Sequence, residues 1–165
     1  MPKIYFIDVT NRDGVQTAKL GLSKLEKTLI NIYLNEMGVF QSEFGFPTTR
    51  HETHYLQANL ELAEMGVLKP IHLGGWIRAI PGDVETTFKL VPDIRHLNLS
   101  ISTSSQMIDG KFQGRKKDVD IINDMTEAVD TASAHGAETI GVNAEDASRT
   151  DVKFLIKFGL AAKDH

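Results

Sequence analysis

The sequence predicts an α/β fold built on a parallel β-sheet. Five times along its 165 residues, a short apolar run is followed by a segment with apolar residues at helical spacing. Hairpin signals between consecutive runs are absent, and parallel strands need a crossover helix of this kind. The length suits a single domain, and 41% hydrophobic residues are sufficient for a core. These observations predict five consecutive strand–helix units.

The first unit begins almost at the amino terminus. Residues 3–8 are mostly β-branched or aromatic, which predicts a buried strand. Ser23 and Glu26 form a capping-box pattern, which predicts a helix start, and Gly38 predicts its end.

The second unit repeats this order. A strand is predicted from Val39 to Phe44, followed by a Gly-Phe-Pro break. Thr49 and Glu52 have capping-box spacing, and Gly66 predicts the end of the helix that follows. The second capping box is therefore expected at Thr49.

Three more units follow the same pattern. Strands are predicted at residues 71–77, 96–101 and 139–143, and helices at 84–90, 119–132 and 152–160. Residues 102–117 are rich in Ser, Gly and Lys and predict a loop. The basic residues at its end can meet phosphates such as those of coenzyme A, although a solvated loop is the commoner case.

Two architectures fit five such units. One is a complete, doubly wound five-stranded domain of the flavodoxin type. The other is part of a (β/α)₈ barrel, which usually needs about 250 residues. The pattern alone slightly favours the small complete domain, since five barrel units would leave an open sheet edge.

Composition limits the classes of function. The net charge of −4 argues against a general nucleic-acid or anionic-membrane binder. There are no cysteines, which excludes disulfides, thiolate metal ligands and cysteine nucleophiles. No apolar run approaches the roughly 18 residues of a membrane span, so a cytoplasmic protein is expected.

Polar residues follow each predicted strand. Both architectures place ligands at the carboxyl ends of the strands, and carboxylates converging there with arginines suit metal-assisted carbonyl chemistry. The alternative is that these are ordinary solvated loop residues. The candidates are Arg12, Asp13 and Gln16 after the first strand, Glu43 at the end of the second, Arg78 after the third and Glu145 after the fifth.

Glu43 is the most informative of these residues. A carboxylate between Phe40 and Phe44 in a buried strand needs a partner. An ion pair with Arg12 would meet that need, and it would do so equally well in a purely structural role.

Three segments resemble the DRE-TIM metallolyase superfamily. Residues 8–16, D-V-T-N-R-D-G-V-Q, resemble its D-T-T-L-R-D-G-x-Q motif. Residues 42–47, S-E-F-G-F-P, resemble I-E-V-G-F-P, and residues 144–151, A-E-D-A-S-R-T-D, resemble G-E-D-A-S-R-x-D. The last segment is most like homocitrate synthases. Residues 41–44 with 75–79 also look like Re-type citrate synthases, and isopropylmalate synthases are further members.

The resemblance implies the first five βα units of a (β/α)₈ TIM barrel, so that residues 1–165 form the amino-terminal part of one catalytic domain. It also implies a condensation of acetyl-CoA with a 2-oxo acid, assisted by Mg²⁺, Mn²⁺ or Zn²⁺. The 2-oxo acid is expected to be 2-oxoglutarate, giving homocitrate. Re-type citrate synthase and isopropylmalate synthase activities are the alternatives.

The motifs also assign expected roles to the candidate residues. Arg12 would stabilise the developing oxyanion, and Asp13 would bind the metal. Gln16 would contact substrate, Glu43 would support Arg12, Arg78 would anchor the carboxylate of the oxo acid, and Glu145 would be a polar wall residue with an acid–base role.

The chain departs from the superfamily pattern in two ways. Val15 replaces an acidic residue between Gly14 and Gln16, and no H-x-H pair of metal ligands follows the fifth helix. The expectation is therefore a part of a longer enzyme whose metal site is completed elsewhere. The complete enzyme is expected to be a homodimer. The alternative is that the chain is not an enzyme but a half-barrel module that assembles with a second copy through its open sheet edge.

Overall fold

The computed structural model describes residues 3–165, which form one parallel five-stranded sheet. The strand order is β1-β2-β3-β4-β5, and each strand pairs with the next one in sequence. A flavodoxin-type sheet would place its first strand inside the order, so that alternative is wrong. The strands form a curled half-barrel, the first five βα units of a TIM barrel. They are β1 (Ile7–Asp8), β2 (Gln41–Gly45), β3 (His72–Arg78), β4 (His96–Ser102) and β5 (Thr139–Glu145).

Within residues 3–165, five α-helices lie between successive strands in sequence, and a sixth follows the last strand. The core lies between sheet and helices and includes fully buried Leu56, Ile77, Leu97, Leu99 and Met125. The helices are α1 (Lys24–Glu36), α2 (Thr53–Glu64), α3 (Pro81–Leu90), α4 (Ser105–Phe112), α5 (Asp118–Ala134) and α6 (Val152–Asp164). No helix within residues 3–165 is both long and apolar enough to cross a membrane.

Successive side chains of each strand point to opposite faces of the sheet, one toward the helices and one toward the barrel interior. In β4, Leu97 and Leu99 face the helices, while Asn98 faces the barrel interior and bonds across to Gln41 and Glu43 on β2. The interior of the half-barrel is therefore polar, and its side chains converge toward the carboxyl ends of the strands.

The first strand is shorter and more exposed than predicted. Only Ile7–Asp8 pairs as a strand, although the amide of Gln41 also donates to the carbonyl of Phe6 at 3.2 Å. Ile4 and Phe6 are 75% and 72% exposed. The prediction of a buried strand was wrong because β1 has a neighbour on one side only, at the edge of the sheet.

The two predicted capping boxes have different outcomes. At the start of α1, Glu26 N donates to Ser23 Oγ and Ser23 N donates to Glu26 Oε2, which confirms the first. The second is wrong, because α2 begins at Thr53 and has no side-chain cap. Glu52 instead accepts hydrogen bonds from Lys27 and from the amide of Phe46. A lysine that is 5% exposed competes successfully for this carboxylate.

The Lys27–Glu52 pair gives a stability prediction. Glu52→Ala should lower the free energy of unfolding of the complete protein by about 2 kcal/mol, because it leaves a buried ammonium without its partner. Glu61→Ala, an exposed position on the same helix, is the control and should change it by less than about 0.5 kcal/mol. Equal effects of the two substitutions, measured by denaturant unfolding, would contradict this account.

Residues 102–117 form more than the predicted loop. They contain α4, whose first turn is capped where Met107 N donates to Ser104 Oγ at 3.2 Å. Ile108 is buried in the core, and Gln113 ends the helix with a φ of 53°. The helix brings Lys111 over the carboxyl ends of β4 and β5.

Candidate active site

A cavity of about 350 Å³ lies at the carboxyl ends of the strands, inside the half-barrel. Four of the predicted site residues line it, together with an aromatic ring and small polar side chains. The lining residues are Val9, Arg12, Asp13, Glu43, Trp76, Ser100, Asn143 and Glu145. The structure therefore brings together residues from four different strands and the turn after β1.

Arg12 is held on three sides. Its Nε donates to Glu43 Oε2 at 3.0 Å and its Nη1 donates to Asp13 Oδ1 at 2.9 Å. Its guanidinium carbon lies 4.8 Å from the centre of the Trp76 ring, a cation–π contact. A guanidinium has five N–H donors, so three remain for a ligand. The turn thus presents a guanidinium in a fixed orientation to the cavity, between the two carboxylates of Asp13 and Glu43.

Glu43 is buried, with its side chain 5% exposed, and both of its oxygens are used. Oε2 accepts from Arg12, and Oε1 accepts from Asn98 Nδ2 at 2.8 Å. Arg12 is therefore the expected partner of the Glu43 carboxylate, and Asn98 is a second partner. Asn98 was not among the predicted site residues. The alternation of H-L-N-L-S-I-S in β4 could have identified it, since it places Asn98 on the polar face.

Glu145 stands at the end of β5 and is held by two donors. Ser102 Oγ and Lys111 Nζ both donate to its Oε2 at 2.6 Å. Burial alone would raise the pKa of Glu145, but the hydrogen bonds from Lys111 and Ser102 outweigh it and hold that pKa below its ordinary value. At neutral pH this side chain is a carboxylate that can accept a proton. The contact of Lys111 with Glu145 was not predicted, because Lys111 was expected in a basic loop and not on a helix.

Asp13 is 57% exposed at the mouth of the cavity. Among residues 3–165, no group of three or more His, Cys, Asp or Glu side chains is arranged to hold a metal ion. A divalent metal usually takes three protein ligands, or keeps substrate and water besides its carboxylates. Asp13 offers one such ligand, and the described residues do not by themselves fit a metal site.

The remaining two predicted residues lie beside the cavity. Gln16 is exposed and lines an adjoining groove of about 340 Å³ that also includes Arg12 and Trp76. Arg78 lines a second adjoining groove of about 360 Å³ with Trp76 and Lys111.

Arg78 is bound more tightly than the sequence suggested. Its Nε and Nη2 donate to the two oxygens of Asp83, both at 2.7 Å, which also raises the pKa of the guanidinium. These two hydrogen bonds occupy the Nε–Nη2 edge of the guanidinium, which would otherwise suit a bidentate contact with a substrate carboxylate. Arg78 keeps donors only on its outer side, so its assignment as a carboxylate anchor stays a prediction.

A cavity of about 460 Å³ also lies at the amino-terminal ends of the strands, where His72 Nδ1 and His96 Nε2 are 3.0 Å apart. Burial and the neighbouring His72 lower the pKa of His96. Reactive groups in barrel enzymes gather at the opposite end, so volume alone does not make this cavity the active site.

The fold and the site define a class of protein. Residues 3–165 match the HMGL-like family, and the chain belongs to it. It is 71% identical over 164 residues to the citrate (Re)-synthase of Dehalococcoides mccartyi. The aligned region covers 99% of the chain and 40% of that protein.

Two less similar relatives are named as other synthases. Identity is 38% over 160 residues with a 2-isopropylmalate synthase of Caldanaerobacter subterraneus, covering 97% of the chain and 39% of that protein. It is 32% over 162 residues with a homocitrate synthase of Methanocaldococcus jannaschii, covering 98% and 38%. The chain spans 38 to 40% of the length of these three relatives.

Proposed function

We propose that the complete protein condenses acetyl-CoA with a 2-oxo acid, and that the 2-oxo acid is oxaloacetate, giving citrate. The observation that carries the condensation is the pair of Arg12 and Glu43 on the cavity wall, with three guanidinium donors free and the Glu145 carboxylate lining the same cavity. Carbonyl chemistry needs both a proton acceptor and fixed positive charge.

The reaction follows from these groups. Glu145, as a carboxylate, accepts a proton from the methyl group of the acetyl thioester. The resulting carbanion attacks the keto carbon of the 2-oxo acid, and the keto oxygen becomes an alkoxide. Arg12 stabilises that charge with donors that are already in place. The alkoxide takes up a proton and becomes the hydroxyl group of the product, so that the proton removed from the methyl group is replaced. Water then cleaves the thioester, which releases the coenzyme A thiol and a proton and leaves the tricarboxylate.

A divalent metal remains part of the proposal only through Asp13. This carboxylate can supply one oxygen ligand, and the other ligands would come from parts of the complete protein outside the described residues. Glu43 keeps a role that does not depend on the metal, since it fixes the Nε edge of Arg12.

The choice of oxo acid differs from the one that the motifs favoured. The 71% identity with a citrate (Re)-synthase supports oxaloacetate, against 32% with a homocitrate synthase and 38% with an isopropylmalate synthase. Mass spectrometry of the products formed from acetyl-CoA with oxaloacetate, 2-oxoglutarate and 2-oxoisovalerate tests this choice. Citrate should be formed fastest, and preferential formation of homocitrate would overturn it.

The contact between Lys111 and Glu145 gives a pH prediction. Glu145 acts as a carboxylate, so activity is present above its pKa and is lost as pH falls through it. In Lys111→Met that pKa rises, and the acidic limb of the kcat/KM profile should move to higher pH. Lys116→Met, which removes a lysine paired with Asp124, is the control. An unchanged limb in Lys111→Met would contradict the role of Lys111.

One observation favours a second candidate function. The apolar side chains around β1 lie exposed at the edge of the sheet, and such an edge favours pairing with further strands. If the chain is a non-catalytic module that dimerises through this edge, it should form a dimer in a concentration-dependent manner and show no turnover. Sedimentation of the 165-residue chain with and without Ile7→Lys tests it, and an unaltered association state would exclude the edge as the interface.

A further inference from the structure

A cluster of buried amide side chains lies beside the turn that carries Arg12. Asn11, Asn31 and Asn59 are all 0% exposed. Asn11 Nδ2 donates to Asn31 Oδ1 and to the carbonyl of Lys27, both at 2.8 Å. Asn31 Nδ2 donates to Asn59 Oδ1 at 2.9 Å and to the Tyr55 hydroxyl at 3.1 Å. The cluster therefore connects the turn after β1 to helices α1 and α2.

Two backbone carbonyls fix the orientation of all three amides. A carbonyl only accepts, so Asn11 must present its NH₂ group to Lys27, and Asn59 must present its NH₂ group to the carbonyl of Tyr55 at 2.9 Å. The oxygen of Asn59 consequently faces Asn31. Asn31 then has its NH₂ group toward Asn59 and its oxygen toward Asn11.

The same Asn31 oxygen also accepts from β2. Ser42 Oγ donates to Asn31 Oδ1 at 2.9 Å. Asn11 directly precedes Arg12, and Ser42 directly precedes Glu43. One oxygen thus ties together the two backbone segments whose next residues form the ion pair in the cavity.

Both residues that meet at this oxygen depart from the superfamily motifs quoted above. Asn11 occupies the Leu position of D-T-T-L-R-D, and Ser42 occupies the Ile position of I-E-V-G-F-P. Apolar side chains there would need no partners, whereas Asn11 Oδ1 is buried without a hydrogen-bond partner among residues 3–165. Such burial is unfavourable. Stability alone therefore does not account for the amides.

We propose that Asn31 is a positioning residue of the active site: by holding Asn11 and Ser42 on one oxygen, it fixes Arg12 relative to Glu43. This inference rests on the proposed function. Asn31 lies outside the cavity and touches no reacting group. It acts by keeping the free guanidinium donors aimed at the position where the alkoxide forms.

The test uses Asn31→Leu and Ser42→Ala in the complete protein. Asn31→Leu should lower kcat by up to about 100-fold, since a displacement of about 1 Å has that effect, with KM for the oxo acid changed less than about twofold. Ser42→Ala removes one hydrogen bond and should lower kcat about fivefold. Ser42→Ala tests the inference if Asn31→Leu fails to fold.

A double-mutant cycle separates positioning from general destabilisation. In an Arg12→Gln background, either substitution should lower kcat by no more than about twofold, because the group that it positions is gone. Met125→Ala is the control, a fully buried residue of α5. It should lower the melting temperature while kcat of the folded enzyme stays unchanged. Equal fold losses in both backgrounds would overturn the inference.

A crystal structure gives a readout that is independent of turnover. In Asn31→Leu, the distance from Arg12 Nε to Glu43 Oε2 should lengthen from 3.0 Å beyond hydrogen-bond reach, and in Ser42→Ala it should lengthen by less. An unchanged distance in both variants would also overturn the inference. An unsubstituted protein that turns over none of the three oxo acids would instead defeat the proposed function, and the structural comparison would still decide the role of Asn31.

Discussion

Arg12→Gln is expected to lower kcat for the condensation by about 10²- to 10³-fold, the usual effect of removing one preorganised donor from a developing oxyanion. The arginine is 19% exposed and is held by Glu43, Asp13 and the ring of Trp76. Glutamine reaches less far and carries no charge. Steady-state release of the coenzyme A thiol measures the loss.

Two further variants make this result specific. Arg12→Lys keeps the charge but loses the fork to Glu43, so kcat should recover only in part. Arg95→Gln removes an arginine at the other end of the sheet, where it donates to backbone carbonyls. Its kcat should stay within about twofold of the parent. A comparable loss in Arg95→Gln would mean that Arg12 acts only through stability.

Glu43→Gln should lower kcat by about 100-fold without raising KM for the oxo acid. The carboxylate accepts from Arg12 on one oxygen and from Asn98 on the other. An amide can accept on one side only, and its NH₂ group would face a donor on the other. Arg12 would then move within the cavity, although the protein keeps nearly the same volume at this position.

Glu52→Gln provides a matched comparison, because Glu52 is also ion-paired but lies outside the cavity, against Lys27. It should destabilise the protein and leave kcat of the folded enzyme unchanged. If Glu43→Gln lowers only the melting temperature, the Arg12–Glu43 pair is a structural ion pair and nothing more.

Local patterns predicted the order of the elements and the central pair of the site. Repeated apolar runs and helical spacing predicted all five βα units, because each signal lies within a few neighbouring residues. The apolar neighbours Phe40 and Phe44 predicted that Glu43 is buried, and a buried carboxylate needs a hydrogen-bonding or charged partner. The structure adds that Asn98 shares this carboxylate.

What could not be predicted depends on contacts distant in sequence. The Thr49 capping box failed because Lys27, 25 residues before Glu52, takes that carboxylate. The short helix α4 begins at a serine N-cap within a run of serines, where the cap cannot be told from a loop serine, and it is fixed by buried Ile108. The Lys111–Glu145 contact depends on α4, so it could not be predicted either.

The most direct test measures coenzyme A thiol release by the complete protein, supplied with acetyl-CoA alone and with oxaloacetate, in the parent and in Arg12→Gln. Thiol release is expected only when both substrates are present, and Arg12→Gln should lower its rate by about 10²-fold or more. Thiol release that is as fast without oxaloacetate, or undiminished in Arg12→Gln, would contradict the proposed function.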